Sequence, residues 1–217
     1  MAGKFNVSSS PHVRDNSSTA NIMKDVCIAM IPTLAFGCFQ FGVSALIVVI
    51  CTVLACVLAE YLYEKIMNKP ITIGDFSAVV TGLILALNMP TQIPVWMPIL
   101  GGVFAIIVVK QLYGGLGQNF MNPALAARCF MLISFAGSMT NFSSVAMNYD
   151  SSSTPTPLAL LKAKGITGAL GQYNLVNIFL GRIPGTIGEV STIALLIGAI
   201  YLVVRKVISL RIPLIYI

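Results

Sequence analysis

The sequence contains few charged residues and a single histidine. Only 9% of its 217 residues are charged, whereas a soluble domain carries roughly 25%. This scarcity excludes an ordinary soluble enzyme, and the lone histidine argues against a haem held by histidines of this chain. None of the five cysteines forms a CxxC pair, so they are expected to pack as small apolar residues, with iron–sulfur ligation shared with a partner as the alternative. The sequence shows no metal-ligand set and no catalytic residue.

The apolar residues of the sequence occur in long runs without charged residues. The segments Val26–Ala59 and Phe76–Val109 contain no charged residue, and each is much longer than the about 20 residues of one spanning helix. Turns are expected within both runs, at 36–42 and 88–94. The pattern predicts an all-α polytopic membrane protein with spans near 26–41, 44–62, 75–90, 95–112, 123–139 and 187–204. A seventh span begins near Ile212, so the chain is expected to be truncated within a span.

The distribution of basic residues predicts the orientation. Of the 13 Lys and Arg residues, three fall on the side opposite to the N-terminus, namely Lys162, Lys164 and Arg182. Because cytoplasmic loops are enriched in Lys and Arg, the N-terminus is predicted to be cytoplasmic and residues 140–186 extracytoplasmic. Membrane topology therefore explains the net charge of +6, and no nucleic-acid partner is expected.

A short internal similarity indicates an inverted repeat. The pattern Ile-Gly-acid-x-Ser occurs at 73–77 and again at 187–191, before spans of opposite predicted direction, as inverted repeats produce. The predicted organisation has a cytoplasmic segment, a first transmembrane repeat of about five spans, an extracytoplasmic loop with a re-entrant segment as one interpretation, and the start of a second repeat. These parts are 1–25, 26–139, 140–186 and 187–217.

Four acidic residues lie near ends of predicted spans. Asp75 and Glu189 belong to the repeated pattern, and a carboxylate at membrane depth suggests an ion pathway. An acid in the first helical turn also complements the helix dipole, so capping is the competing interpretation. Glu60 and Glu64 at the end of the second span are expected to be solvated.

Two polar segments interrupt the apolar pattern. In Gly114–Ala124, Asn122 is expected to cap a helix that starts at Pro123. That helix N-terminus either faces an anion or cofactor, or closes a tight turn. The second segment, Asp150–Leu158, has the composition of an exposed loop. It offers five hydroxyl groups for a phosphoester, and chemistry alone does not choose among them.

Matching motifs along almost the whole chain identify a family. The sequence resembles the family that contains the D subunit (RnfD) of the Rnf ion-translocating ferredoxin:NAD oxidoreductase and, more distantly, the B subunit (NqrB) of the sodium-pumping NADH:quinone reductase. The Ser-Ser-Pro-His start favours the Rnf type. The matching segments are 8–13, 22–26, 74–82, 114–124 and 187–191.

The resemblance implies a membrane electron-transfer subunit of the bacterial inner membrane, with a ten-span inverted-repeat fold and coupling to Na⁺ or H⁺. It implies FMN bound covalently to Thr156 through a phosphoester, within a segment that Ser153, Pro157 and Leu158 also match. Thr154 and Pro155 depart from the glycine and alanine that the family has there.

The resemblance further implies a noncovalent riboflavin in some members, surrounding lipid, and the A, B, C, E and G subunits of Rnf as partners. The alternatives are a subunit of the sodium-pumping quinone reductase type, or an inverted-repeat solute transporter or channel without flavin.

The predicted topology has a direct test. An Asn148→Cys substitution, in a background without the native cysteines, is expected to react with a membrane-impermeant thiol reagent in intact cells, because residues 140–186 face outward. Labelling that requires prior opening of the membrane would reverse the orientation.

Overall fold

The structure is a computed structural model that describes residues 18–142, 158–163, 165, 175–181, 183–189 and 191–216. Within these ranges the chain is helical and contains no strand, which confirms the expected helical class. A stretch at 158–163 is also helical. The other helices are α1 (Thr19–Phe41), α2 (Val43–Ile66), α3 (Ser77–Leu87), α4 (Trp96–Phe104), α5 (Pro123–Ser134), α6 (Ala136–Met139), α7 (Leu175–Leu180), α8 (Thr192–Val204) and α9 (Arg211–Tyr216).

Helices α1 and α2 are long and apolar enough to cross a membrane. Gly42, with a φ of 74°, is the single residue between them, so the turn expected at 36–42 shrinks to one glycine in the left-handed region. Helix α1 begins at Thr19, inside the segment predicted to precede the first span, because the Ser18 hydroxyl accepts a hydrogen bond from the Asn21 amide at 3.2 Å. Both helices expose aliphatic side chains such as Ile31, Ile50 and Leu58, as expected of a surface that faces lipid.

The remaining helices are shorter than full spans. Helix α3 has 11 residues where a span over 75–90 was predicted, and the turn predicted at 88–94 separates it from α4. Helix α4 continues directly as a π-helix, Ala105–Gln111. Helix α5 begins as expected: the Asn122 side chain accepts hydrogen bonds from the amides of Ala124 and Leu125 at 3.0 and 3.3 Å.

Small residues let the helices pack closely. A side chain at Gly82 would collide with the backbone of Val53 on α2, and one at Gly198 on α8 would overlap the Ala29 carbonyl on α1. Hydrogen bonds also stabilise the α1–α8 contact. Asp25 on α1 accepts one from Tyr201 at 3.1 Å and one from Arg205 at 3.3 Å. Small residues at helix contacts are typical of membrane bundles, in which packing rather than water exclusion holds helices together.

The non-helical segments before α8 and after α3 pair through their backbones. The Ile187 amide donates to the Met89 carbonyl at 3.1 Å, and the Gly188 amide donates to the Leu87 carbonyl at 2.7 Å. A side chain at position 188 would lie 2.8 Å from the Leu87 Cβ atom. Glycine therefore permits the close approach through which two interrupted helices satisfy each other's backbone groups.

The α1–α8 contact predicts a matched pair of glycine substitutions. Gly198→Ala is expected to lower stability by about 1–3 kcal/mol, because the added methyl group overpacks the contact with Ala29. Gly137→Ala is the control, since no atom lies within 4 Å of the added methyl group. Thermal unfolding of the purified protein in detergent measures both, and equal midpoints would contradict the proposed contact.

Candidate functional site

A buried polar cluster lies at the end of α2 that is next to α3 and the π-helix. We use the term polar cluster for Glu60, Glu64, Thr72, Ser77, Lys110 and Gln111. The two carboxylates and the lysine are the notable members, with exposed fractions of 0% for Glu60, 1% for Glu64 and 2% for Lys110. Charged side chains are rarely buried this fully unless they are paired.

Lys110 and Glu60 form the centre of the polar cluster. The Lys110 Nζ atom donates to Glu60 Oε1 at 2.6 Å and to Ser77 Oγ at 2.5 Å. Gln111 Nε2 donates to the same Glu60 oxygen at 2.9 Å. These contacts join three separate elements, since Glu60 belongs to α2, Ser77 to α3 and Lys110 to the π-helix.

Glu64 lies one turn further along α2 and is covered by the loop that follows. The Thr72 amide donates to Glu64 Oε2 at 3.0 Å, and the Thr72 hydroxyl donates to Glu64 Oε1. Gln111 Nε2 also reaches Glu64 Oε1, at 3.3 Å. The expectation that Glu60 and Glu64 are solvated was therefore wrong. The chain folds back after α2 and places Thr72, itself exposed, over the carboxylates.

The π-helix positions two members of the polar cluster. Its i→i+5 hydrogen bonds add a residue to the turn and so change which side chains face inward. Lys110 and Gln111 occupy consecutive positions at its end, and both are buried. Such π-helical segments are rare and occur frequently at functional sites.

Ser77 connects the polar cluster to Asp75. The Ser77 hydroxyl accepts from Lys110 and donates to Asp75 Oδ1 at 2.6 Å, and the Ser77 amide donates to the same oxygen at 2.8 Å. Asp75 thus caps the start of α3, which is the competing interpretation that the sequence left open. Through Ser77 it also lies beside the buried lysine.

A cavity of about 330 Å³ opens on the other side of Lys110 and Ser77. Its wall includes Thr81 on α3 and both Asn119 and Asn122 from the glycine-containing segment before α5. The buried Oδ1 atom of Asn119 has no hydrogen-bond partner among the described residues. A buried acceptor without a partner is costly, and a hydrogen-bond donor in the cavity, water included, would satisfy it.

Glu189 differs from Asp75 in its surroundings. Its side chain is 58% exposed, and its Oε1 atom lies 3.7 Å from Arg128 Nη2 on α5. Arg128 also donates to Asn88 Oδ1 at 2.7 Å, which places Glu189 at the junction of α3, α5 and α8. The two acids of the repeated pattern therefore have different partners.

The loop predicted to carry a flavin lies mostly outside the described residues. Ser153, Thr156 and Pro157 fall in that region, whereas Leu158 begins the helical stretch 158–163 and is exposed. Within the described ranges, no group of three or more His, Cys, Asp or Glu side chains could hold a metal ion.

Only part of the polar cluster has a signal in the sequence. The four-residue spacing of Glu60 and Glu64 places them on one helix face, but it does not reveal that this face turns inward. Lys110, the partner of Glu60, is 50 residues from it in the sequence. A lysine at the end of an apolar run is normally assigned to the membrane surface, so this pairing was missed.

Comparison with known proteins finds relatives that match almost the whole chain. The model of the NQR2, RnfD, RnfE family matches residues 6–217. The chain is 50% identical over 210 residues to the D subunit of the Na⁺-translocating ferredoxin:NAD⁺ oxidoreductase complex of Acetobacterium woodii. It is 44% identical over 219 residues to the D subunit of the proton-translocating complex of Clostridium ljungdahlii, and 35% identical over 243 residues to the D subunit of the ion-translocating oxidoreductase complex of Escherichia fergusonii.

These alignments include 97%, 98% and 96% of the chain, in that order. The chain spans 65%, 66% and 69% of the three relatives' own lengths. The resemblance found in the sequence is thus confirmed, and the chain belongs to the NQR2, RnfD, RnfE family of membrane proteins.

Proposed function

We propose that the chain is the D-type subunit of an ion-translocating ferredoxin:NAD oxidoreductase and passes electrons within that complex. The observation that carries the proposal is the 50% identity to the D subunit of the Acetobacterium woodii complex over 97% of the chain. The relatives' names give Na⁺ for one complex and protons for another, so the proposal includes either coupling ion. The chain has no complete reaction of its own, because ferredoxin and NAD would react at other subunits.

The proposed surroundings are the bacterial inner membrane and the A, B, C, E and G subunits of Rnf. The apolar exterior of α1 and α2 supports contact with lipid or with the helices of these subunits. Lys24, Lys69 and Arg205 lie at the end of the bundle where α1 begins and where α2 and α8 end. A basic end of this kind is expected to face the cytoplasm, which supports the predicted orientation.

The proposed covalent cofactor is FMN, attached through a phosphoester to Thr156. The sequence register from Asp150 to Leu158 supports this position, and Ser153, Pro157 and Leu158 would surround the attachment. The flavin would supply one-electron and two-electron chemistry, whereas the protein would hold it and set its potential.

We further propose that the cavity beside Lys110 holds the noncovalent riboflavin that the family resemblance implies for some members. Its volume of about 330 Å³ lies within the roughly 300–1,000 Å³ range of small-molecule sites. Asn119 Oδ1 would accept a hydrogen bond from the imide edge of riboflavin, and Lys110 would donate one. The buried acceptor without a partner is the observation that supports this placement.

Asp75 and Glu189 are proposed as part of the ion pathway. The support is strongest for Asp75, because Ser77 links it to the buried Lys110–Glu60 pair. Glu189 is exposed and meets Arg128, so its contribution would come from the junction of the two interrupted helices.

The covalent flavin predicts the result of one substitution. Thr156→Val is expected to abolish the flavin fluorescence of the subunit on a denaturing gel while the protein still inserts, because valine has no hydroxyl group for the phosphoester. Thr154→Val is the matched control and is expected to keep the fluorescence. The reverse result would move the attachment to Thr154.

The ionic role of the two acids is separable from capping. Asparagine can still cap a helix but carries no charge, so Asp75→Asn and Glu189→Gln remove only the charge. Ion transport linked to electron transfer in membrane vesicles is expected to fall by about tenfold in at least one variant. If both variants transport ions at the wild-type rate, the ionic role is excluded, and what remains is the hydrogen bond of Ser77 to Asp75 and the contact of Glu189 with Arg128.

A further inference from the structure

The polar cluster holds one more buried carboxylate than it has buried cations. Glu60, Glu64 and Lys110 are at most 2% exposed, and together they carry a formal charge of −1. The charged groups around them do not neutralise this excess. Asp75 adds negative charge, and the exposed Lys69 donates to the Gln111 carbonyl at 3.4 Å rather than to a carboxylate. Because an unbalanced buried charge is costly, the polar cluster is suited to hold an exchangeable proton.

Glu60 offers a specific atom for that proton. Its Oε1 atom receives hydrogen bonds from Lys110 and Gln111, whereas its buried Oε2 atom has no partner among the described residues. A proton on Oε2 removes the excess charge and leaves the hydrogen bonds to Oε1 in place.

Hydrogen bonds connect this atom's side chain to the protein surface and to the cavity. On one side, the exposed Thr72 donates its hydroxyl proton to Glu64 and lies 3.5 Å from Glu60 Oε1. On the other side, Glu60 meets Lys110, which meets Ser77, and both Lys110 and Ser77 line the cavity. The polar cluster is therefore continuous from solvent to cavity.

We propose that Glu60 and Lys110 form a proton relay between the surface at Thr72 and the cavity. Lys110 would give up an Nζ–H proton to the flavin proposed for the cavity when that flavin accepts one electron from a reduced centre of the complex. Lys110 then takes a proton from the carboxyl group of Glu60, whose Oε1 atom it contacts at 2.6 Å, and Glu60 is reprotonated from solvent past Thr72 and Glu64. One electron and one proton enter together, so the charge of the buried region does not change. The inference rests on the proposed redox function and adds a proton path to it.

A purely structural ion pair makes a different prediction. Replacing a buried pair by two neutral side chains is often tolerated, whereas removing one partner leaves an unpaired charge. The double variant Glu60→Gln/Lys110→Met contains no charge at the pair, so it restores whatever a structural pair provides. It does not restore a relay, because neither glutamine nor methionine passes protons.

The test uses the full-length subunit in its assembled complex, with flavin content measured on every sample. Time-resolved infrared spectra recorded after one-electron reduction of the wild type are expected to show the carbonyl band of a protonated carboxylic acid disappear and then recover, with the band shifted in D₂O. The band is expected to vanish in Glu60→Gln and to persist in Asp25→Asn, a control that removes a carboxylate from another ion pair of the same chain. Electron transfer is expected to be at least about tenfold slower in the double variant.

Each outcome decides a separate point. A wild-type complex without flavin would refute the proposed function. Flavin with no carboxylic-acid band, or a band that persists in Glu60→Gln, would refute the relay alone. Wild-type electron transfer in the double variant would show a structural pair. If the double variant does not assemble, the wild-type and Glu60→Gln spectra still decide, since glutamine preserves the size of Glu60 and the acceptor for its hydrogen bonds.

Discussion

The ion pair between Lys110 and Glu60 holds together the part of the molecule on which the proposed chemistry depends. It joins α2 to the π-helix directly and reaches α3 through Ser77, so three elements are fixed by one ammonium group. Removing Lys110 alone would leave the buried carboxyl groups without a cation, and an uncompensated buried charge typically costs about 3–5 kcal/mol. Replacing a buried ion pair by well-packed apolar side chains is often neutral or stabilising. Packing alone therefore does not require these charges, which is consistent with the proposed relay.

The segments that interrupt the helices near α3 and α8 are subject to a constraint that the membrane imposes. In a membrane, backbone groups outside helices need partners within the protein. The chain meets this need by pairing Ile187 and Gly188 with the segment after α3, and by the cap that Asp75 provides to Ser77. Both occurrences of the Ile-Gly-acid-x-Ser pattern thus supply hydrogen bonds to backbone groups outside or at the ends of helices. Their side chains nevertheless serve different neighbours, because Asp75 faces the polar cluster and Glu189 faces Arg128.

Most of the helical layout was accessible from sequence, whereas the polar cluster was not. Charge-free runs located the helices, and Asn122 followed by Pro123 marked the start of α5, because these signals are local. The burial of Glu60 and Glu64 depends on a loop that folds back and on a lysine from a distant helix. Local pattern contains no such information. The length of α3 was overestimated for the same reason, since its early end depends on pairing with the segment before α8.

The π-helix has a consequence for aligning this chain with distant relatives. An α-helix turns by about 100° per residue, so a sequence with one residue fewer between Phe104 and Gly114 could continue as a regular helix. Its basic residue would then point to a different neighbour even if the flanking motifs matched at every position. A one-residue gap in this stretch would therefore distinguish a relative that keeps the lysine opposite α2 from one in which the lysine has rotated away. Such a gap would change which side chains meet inside the protein.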